Sequence, residues 1–284
     1  MTCRPCGKPL TSCAAPIDAA LIVFSFLYMI DSHVHLQDPL FRGDLDDVLR
    51  RAKEQGIERF FCNGTSPDDW DNVCRLADER KEIVPFFGLH PWYVEQYDDW
   101  EERLIPFLDR KFAGRTFTGV GEIGLDYYIQ PRNESRQKEA FRIQLRLAKS
   151  RGLPVAIHSV RAIHQIIPIF EAEGPFSAIL LHSFAGPVDR IEQLTRLGCF
   201  FSFSATVLKP KNRRVREAAI AVPQDRILLE SDAPALPPQL GDRNEPTVLE
   251  AILNEIAGLR NIPSQRFREI ISNRTETTSP GTLF

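Results

Sequence analysis

Two histidines one residue apart, His33-Val-His35, follow an apolar run and Asp31. On an extended strand, side chains two apart stand on the same side, so both imidazoles can meet one ion. Imidazole suits zinc, manganese, iron or nickel, and a carboxylate added to the set favours a catalytic site over a closed structural one. Four further residues of ligand type recur down the chain: Glu122, His158, His182 and Asp232. Glu122 sits among glycines in Gly119-Val-Gly-Glu-Ile-Gly-Leu-Asp126. Those glycines allow close approach of backbone and ligand, and two carboxylate oxygens can bridge two cations. Asp232, in Leu229-Glu-Ser-Asp-Ala-Pro234, can bind a metal and take the proton of an attacking water. The plainer readings are a Glu satisfied by backbone donors in a tight turn and an Asp capping a helix ahead of Pro234.

The elements that must position these residues can be read from hydrophobic periodicity. Eight short apolar runs recur: Ile22–His33, Ile57–Cys62, Ile83–Gly88, Phe117–Ile123, Pro154–His158, Ala178–His182, Cys199–Ser204 and Arg226–Glu230. Runs such as Ala178-Ile-Leu-Leu181 lack polar alternation, as expected of strands buried on both faces. Amphipathic stretches lie between them. Asp44–Gln55 ends at Gly56, a plausible C-cap. A second helix is expected to start at Pro67 behind Ser66 as N-cap. Others are Asn133–Arg151, Ile163–Glu173, Pro187–Leu197, Asn212–Ala221, Thr247–Leu259 and Ser264–Ser272. Alternation of strand and helix predicts a closed (β/α)8 TIM-type barrel, the open doubly wound sheet being the runner-up. His33, His35, His90, Glu122, His158, His182 and Asp232 all fall at or just beyond a predicted strand's C-terminal end. That is the barrel face where active sites are built. His164, the remaining histidine, falls one helical turn further on.

The bulk numbers exclude little. The chain has 284 residues, enough for one barrel of about 250 residues, with 43% hydrophobic and 26% charged residues. A net charge of −3 supplies no global basic field, so a nucleic acid would need a local patch or metals. One basic cluster, Lys209-Pro-Lys-Asn-Arg-Arg-Val-Arg216, follows the seventh strand, and Trp92, Tyr93, Tyr127 and Tyr128 gather beyond strand ends. Such rings can stack on bases or plug the barrel mouth. Of six cysteines, Cys3, Cys6 and Cys13 crowd the start, whereas Cys62, Cys74 and Cys199 are scattered. No disulfide framework results, and a cytoplasmic location is expected. The apolar stretch Ala19–Ile30 is too short to span a bilayer and runs straight into the His-x-His pair. Residues 1–20 therefore read as a loose extension, and residues 21–284 as the barrel domain.

From about Met29 to the late helices the chain resembles the TatD family of metal-dependent deoxyribonucleases, within the amidohydrolase-like barrel group. The resemblance rests on Met29-Ile-Asp-Ser-His-Val-His-Leu36, Gly88-Leu-His-Pro-Trp92, Gly121-Glu-Ile-Gly-Leu-Asp126, the spaced set Gln137, Phe141, Gln144 and Ala148, Leu153-Pro-Val-Ala-Ile-His-Ser159, His182-Ser-Phe184, Phe201-Ser-Phe-Ser204, Leu229-Glu-Ser-Asp-Ala-Pro234 and Asn244-Glu-Pro246. It implies two divalent metal ions, with zinc, magnesium, manganese, iron and nickel all open. His33 and His35 would hold one ion, His158 and His182 the other, and Glu122 would bridge. Asp232 would join the first ion and handle the water proton. His90, on the rim, and Arg161, displaced one place by Val160, are the candidate contacts to substrate phosphate. The implied reaction is hydrolysis of phosphodiester bonds, most simply by a DNA exonuclease acting on single strands. An amidohydrolase of a small amide, ester or lactone uses the same barrel face, and a non-catalytic metal-binding scaffold is the third reading.

Overall fold

The computed structural model describes residues 28–112, 118–130, 133–239 and 243–272. Eight strands run in order around one parallel sheet: β1 (Met29–Val34), β2 (Ile57–Asn63), β3 (Ile83–Phe87), β4 (Gly119–Asp126), β5 (Val155–Val160), β6 (Ile179–Leu181), β7 (Cys199–Phe203) and β8 (Ile227–Leu229). Helices alternate with them: α1 (Leu45–Glu54), α2 (Trp70–Glu79), α3 (Trp100–Phe112), α4 (Glu134–Ser150), α5 (Ile163–Glu173), α6 (Ile191–Arg196), α7 (Arg213–Ala221), α8 (Leu249–Leu259) and α9 (Ser264–Ser272). This is the expected (β/α)8 barrel. The expected starts of the first strand, Ile22–Leu27, and of the fourth, Phe117, lie outside the described residues, as do the extension 1–20 and its three cysteines.

Two differences from the expected helices have physical causes. Helix α2 begins at Trp70, not Pro67, because the Asp69 carboxylate accepts the amides of Thr65 and Ser66 and folds residues 66–69 into a turn. Helix α3 carries Pro106 in its interior, which breaks the pattern that would announce a helix there.

Period-two alternation builds the barrel interior. Phe61, Val84, Phe86, Ala156 and Leu180 form a small cluster separate from the main core, with Ile30, Phe200 and Leu228 against it. Their strand neighbours, such as Ile179 and Leu181, belong to the main core instead. Two residues further along stand Asn63 and His158, still on their strands, and His182 and Glu230, one residue past the ends of β6 and β8, on the same inward face. An apolar floor thus lies directly beneath a polar layer.

The barrel closes through the segment after β8. The Asp232 amide donates to the His33 carbonyl at 2.9 Å, and the His35 amide donates to the Ala233 carbonyl at 2.9 Å. Below them Ser231 gives its amide and hydroxyl to the Asp31 carboxylate at 2.9 and 2.5 Å. The Ser32 hydroxyl donates to the Leu229 carbonyl. The bonds that seal the seam are therefore the same ones that bring His33, His35 and Asp232 to one place.

Gly124 holds the next critical approach. It pairs with His158 across β4 and β5 at φ +150°, and a Cβ there would stand 2.0 Å from the His158 carbonyl oxygen. Gly124→Ala should lower the melting temperature by several degrees, about 4 °C or more, because two paired strands must separate. An unchanged melt would show that β4 and β5 can part at this point without cost.

Candidate metal centre

Glu122 projects from the middle of β4 into the polar layer and is 2% exposed. Each of its oxygens faces a different group of donors. Oε2 lies 3.2 Å from His33 Nε2 and 3.5 Å from His35 Nε2. Asp232 Oδ1 completes that group, at 3.8 Å from His33 Nε2 and 3.5 Å from His35 Nε2. The two imidazole nitrogens are 3.3 Å apart. Oε1 faces His158 Nδ1 at 2.8 Å, His182 Nε2 at 2.9 Å and His90 Nε2 at 3.3 Å. His158 Nδ1 and His182 Nε2 are 3.2 Å apart.

These spacings fit a divalent ion. Tetrahedral zinc with bonds of 2.0–2.1 Å has ligand-to-ligand edges of about 3.3–3.4 Å. The group of His33, His35, Asp232 and Glu122 Oε2 spans 3.2–3.8 Å. The group around Oε1 is tighter and spanned by hydrogen bonds. Nitrogen and carboxylate donors of this kind suit zinc, manganese, iron and nickel.

Neighbouring groups fix the imidazoles. His35 Nδ1 is 2.8 Å from the Asn63 carbonyl. His158 Nε2 is 3.0 Å from Asp126 Oδ2, and His182 Nδ1 faces Glu230 Oε1 at 3.4 Å. The Ser202 hydroxyl donates to the other Glu230 oxygen. Asp232 sits at φ 55°, a left-handed conformation that Asp tolerates better than most residues. Asn244 braces it, donating from Nδ2 to the carbonyls of Ser231 and Ala235 on either side.

All six proposed ligands are brought together here. His90 is not on the rim: it is buried at 4% exposure and its ring touches His158. Arg161 is exposed, at φ 54°, with its guanidinium 4.6 Å from the Tyr128 ring centre, and it does not line the cavity. Nor does the basic cluster, whose Arg216 is tied to Glu255 and the Val207 carbonyl. Trp92 and Tyr93 do line the cavity, with Tyr97. Sequence reasoning quoted Asp126, Glu230 and Asn244 only as parts of motifs and gave them no role at the site. The first two are reachable by alternation, Asp126 standing four strand residues beyond Glu122 and Glu230 two beyond Leu228. Asn244 acts through contacts 9–13 residues away, which no periodicity shows.

The electrostatics follow from burying many titratable groups together. Burial pushes Glu122 up, but the charges of His182, His90 and His33 outweigh it and hold the carboxyl well below its usual range. Asp232 is likewise lowered against its burial by His35, His182 and His33. Burial pulls His90 down to about 4, and Glu122 restores only part. Burial also lowers His35, yet the Asp232 hydrogen bond and the Glu122 charge lift it to about 9. His182 ends well above its ordinary value because Glu122 and Glu230 overcome its burial. Burial raises Asp31 to about 8, the Ser231 bonds offsetting only part.

The cavity over these residues measures about 480 Å³ and reaches from His35, Glu122, His158, His182 and Asp232 out to Asp68 and Tyr97. Among the described residues its walls carry no Lys or Arg, while Asp38, Asp68 and Asp69 line its outer part.

The sequence model of TatD related DNases matches residues 30–278. The uncharacterized metal-dependent hydrolase YabD of Bacillus subtilis is 31% identical over 251 residues, 87% of this chain and 96% of that protein. The protein named 3'-5' ssDNA/RNA exonuclease TatD of Erwinia tasmaniensis is 30% identical, covering 82% of this chain and 92% of its own length. Among solved structures, the TatD homologue YjjV of Escherichia coli superposes with a TM-score of 0.82 at 28% identity, covering 87% of this chain and 96% of that one.

A histidine held above its ordinary 6.5 stabilises the fold below that pH and loses the contribution as pH rises through its folded value. For His35 the window is 6.5 to about 9. Asp31, raised from 3.8 to about 8, acts in the same direction, since the unfolded chain ionises first. His33 and His90, both lowered, titrate below the window. Protein stripped with a chelator should therefore melt at progressively lower temperature from pH 6.5 to 9. A flat or rising melting temperature would contradict these assignments.

Proposed function

The chain belongs to the TatD family of metal-dependent hydrolases, and from that premise we propose that it is a two-metal phosphodiesterase acting on DNA ends. One observation carries the reading: a single buried carboxylate, Glu122, turns each of its oxygens to a separate group of nitrogen and carboxylate donors. His33, His35 and Asp232 would hold one ion and His158 and His182 the other, with Glu122 offering an oxygen to each. When bound, two divalent ions supply positive charge to the attacking and the leaving oxygen of an in-line displacement.

The chain's own residues perform the rest. Asp232 stays ionised against its burial and takes the proton of the attacking water. His90, kept neutral near pH 7, stands beside Glu122 as a hydrogen-bonding group towards the reacting phosphate. A cavity of about 480 Å³ is of small-ligand size, too small for a duplex, which favours a single-strand terminus. Trp92, 54% exposed, offers a stacking face worth about 1–3 kcal/mol per base. The activity for which the Erwinia tasmaniensis relative is named points the same way. Buried Cys62 and Cys199 suit a reducing, cytoplasmic setting, and among the described residues no helix is long and apolar enough to cross a membrane.

A second reading draws on the cavity walls. The absence of Lys and Arg from the described lining, beside Asp38, Asp68 and Asp69, favours an uncharged small ester, lactone or amide. Labelled single-stranded DNA assayed beside a panel of such esters and amides separates the two. Release of nucleotides from one end supports the nuclease, and turnover confined to the small esters or amides overturns it.

Asp232→Asn should lower turnover by about 10²–10⁴-fold with little change in melting temperature. If Asp232 were only a helix cap, Asn would serve equally and turnover would stay near wild type. His182→Ala, by contrast, should regain part of its activity at high metal concentration.

A further inference from the structure

Among the imidazoles around Glu122, His158 is turned the other way. His33, His35, His90 and His182 all present Nε2 to the carboxylate, whereas His158 presents Nδ1, at 2.8 Å. Its Nε2 points outward to Asp126 Oδ2 at 3.0 Å. We propose that Asp126 is a positioning residue that fixes the ring and tautomer of His158, so that the bare Nδ1 faces the metal ions. The inference rests on the two-ion reading of the site above.

Three features make Asp126 an orienting group and not a ligand. Both of its oxygens are already occupied by donors. Oδ2 accepts from His158 Nε2 and from the Trp92 indole at 2.8 Å, while Oδ1 accepts the amides of Tyr128 at 2.8 Å and Ile129 at 3.3 Å. It therefore has no oxygen left for an ion. Its backbone is also clamped: the Asp126 amide donates to Gln137 Oε1 at 2.9 Å, and Gln137 Nε2 donates back to the Asp126 carbonyl at 3.1 Å. Gln137 is 1% exposed on α4, so a helix of the outer layer holds the carboxylate still. Finally, a carboxylate that accepts from Nε2 keeps a proton there, so a cation that displaces the Nδ1–Glu122 hydrogen bond meets the Nδ1 lone pair.

The same oxygen holds Trp92. Its indole N–H shares Asp126 Oδ2 with His158, and its ring lies on the cavity wall. One carboxylate oxygen thus sets both a metal ligand and the aromatic wall beside the substrate. Losing a partner of this kind costs about 10–100-fold in metal affinity.

The test reads zinc and the imidazole nitrogens directly, not activity. Uniformly 15N-labelled full-length protein, loaded with zinc, is examined by long-range proton–nitrogen spectra, with His158→Gln identifying the His158 signals. The expected pattern is a proton on Nε2 and zinc on Nδ1 of His158. Zinc on Nε2 overturns the proposal. By calorimetric titration with zinc, Asp126→Asn should weaken one ion by about 10–100-fold and leave the other unchanged, while Trp92→Phe keeps both. Wild-type affinity for both ions in Asp126→Asn overturns the proposal; should that variant not fold, the spectra of the wild type decide. Binding of only one zinc by the wild type would instead remove the two-ion reading, and the nitrogen that His158 presents would still be readable.

Discussion

Five imidazoles stand within 3.5 Å of the two oxygens of Glu122, and the residue is all but buried at the floor of the cavity. Burying a charge at such a depth costs several kcal/mol unless partners compensate, and here the partners must come from β1, β5, β6 and the loop after β3. Only a closed barrel brings those elements to one point. Asp232, Glu230 and Asp126 add further buried acids, so the layer carries both signs at close quarters, the setting in which a divalent cation is strongly held. The layer beneath is apolar, with Phe61, Phe86 and Leu180, and leaves the carboxylates no solvent from below.

The seam between β8 and β1 answers the same constraint. A barrel joined only by regular pairing would leave Asp232 one strand away from His33 and His35 with nothing to set their distance. Instead, backbone bonds from Asp232 to His33 and from His35 to Ala233 close the sheet, and the Asp31–Ser231 pair locks the register below. Asn244 ties down the loop that carries Asp232. Glu245 next to it binds Arg51 and Arg243, so the returning chain is anchored to α1. Folding and assembly of the site are, at this seam, one event.

Much of this was legible in the chain. Polar residues at the ends of apolar runs gave the strand order, the barrel and six convergent side chains, because strand alternation and the barrel's functional face are consequences of backbone geometry. Helix α3 was hidden by Pro106, and the start of α2 by the turn that Asp69 caps. His90 and Arg161 show where position along the chain stops being informative. Both follow strands, yet the His90 amide bonds to the Thr65 carbonyl and the ring folds inward, whereas Arg161 leaves β5 at a positive φ and lies on Tyr128. The direction of a side chain in a loop depends on tertiary hydrogen bonds, which sequence spacing does not encode.

The central claim is that Glu122 stands between two cations. Anomalous diffraction from crystals grown with zinc or manganese tests it most directly. Two peaks about 3.5–4 Å apart, one beside Glu122 Oε2 with His33, His35 and Asp232 and one beside Oε1 with His158 and His182, are the predicted result. A single peak, or peaks that make no contact with Glu122, would contradict it.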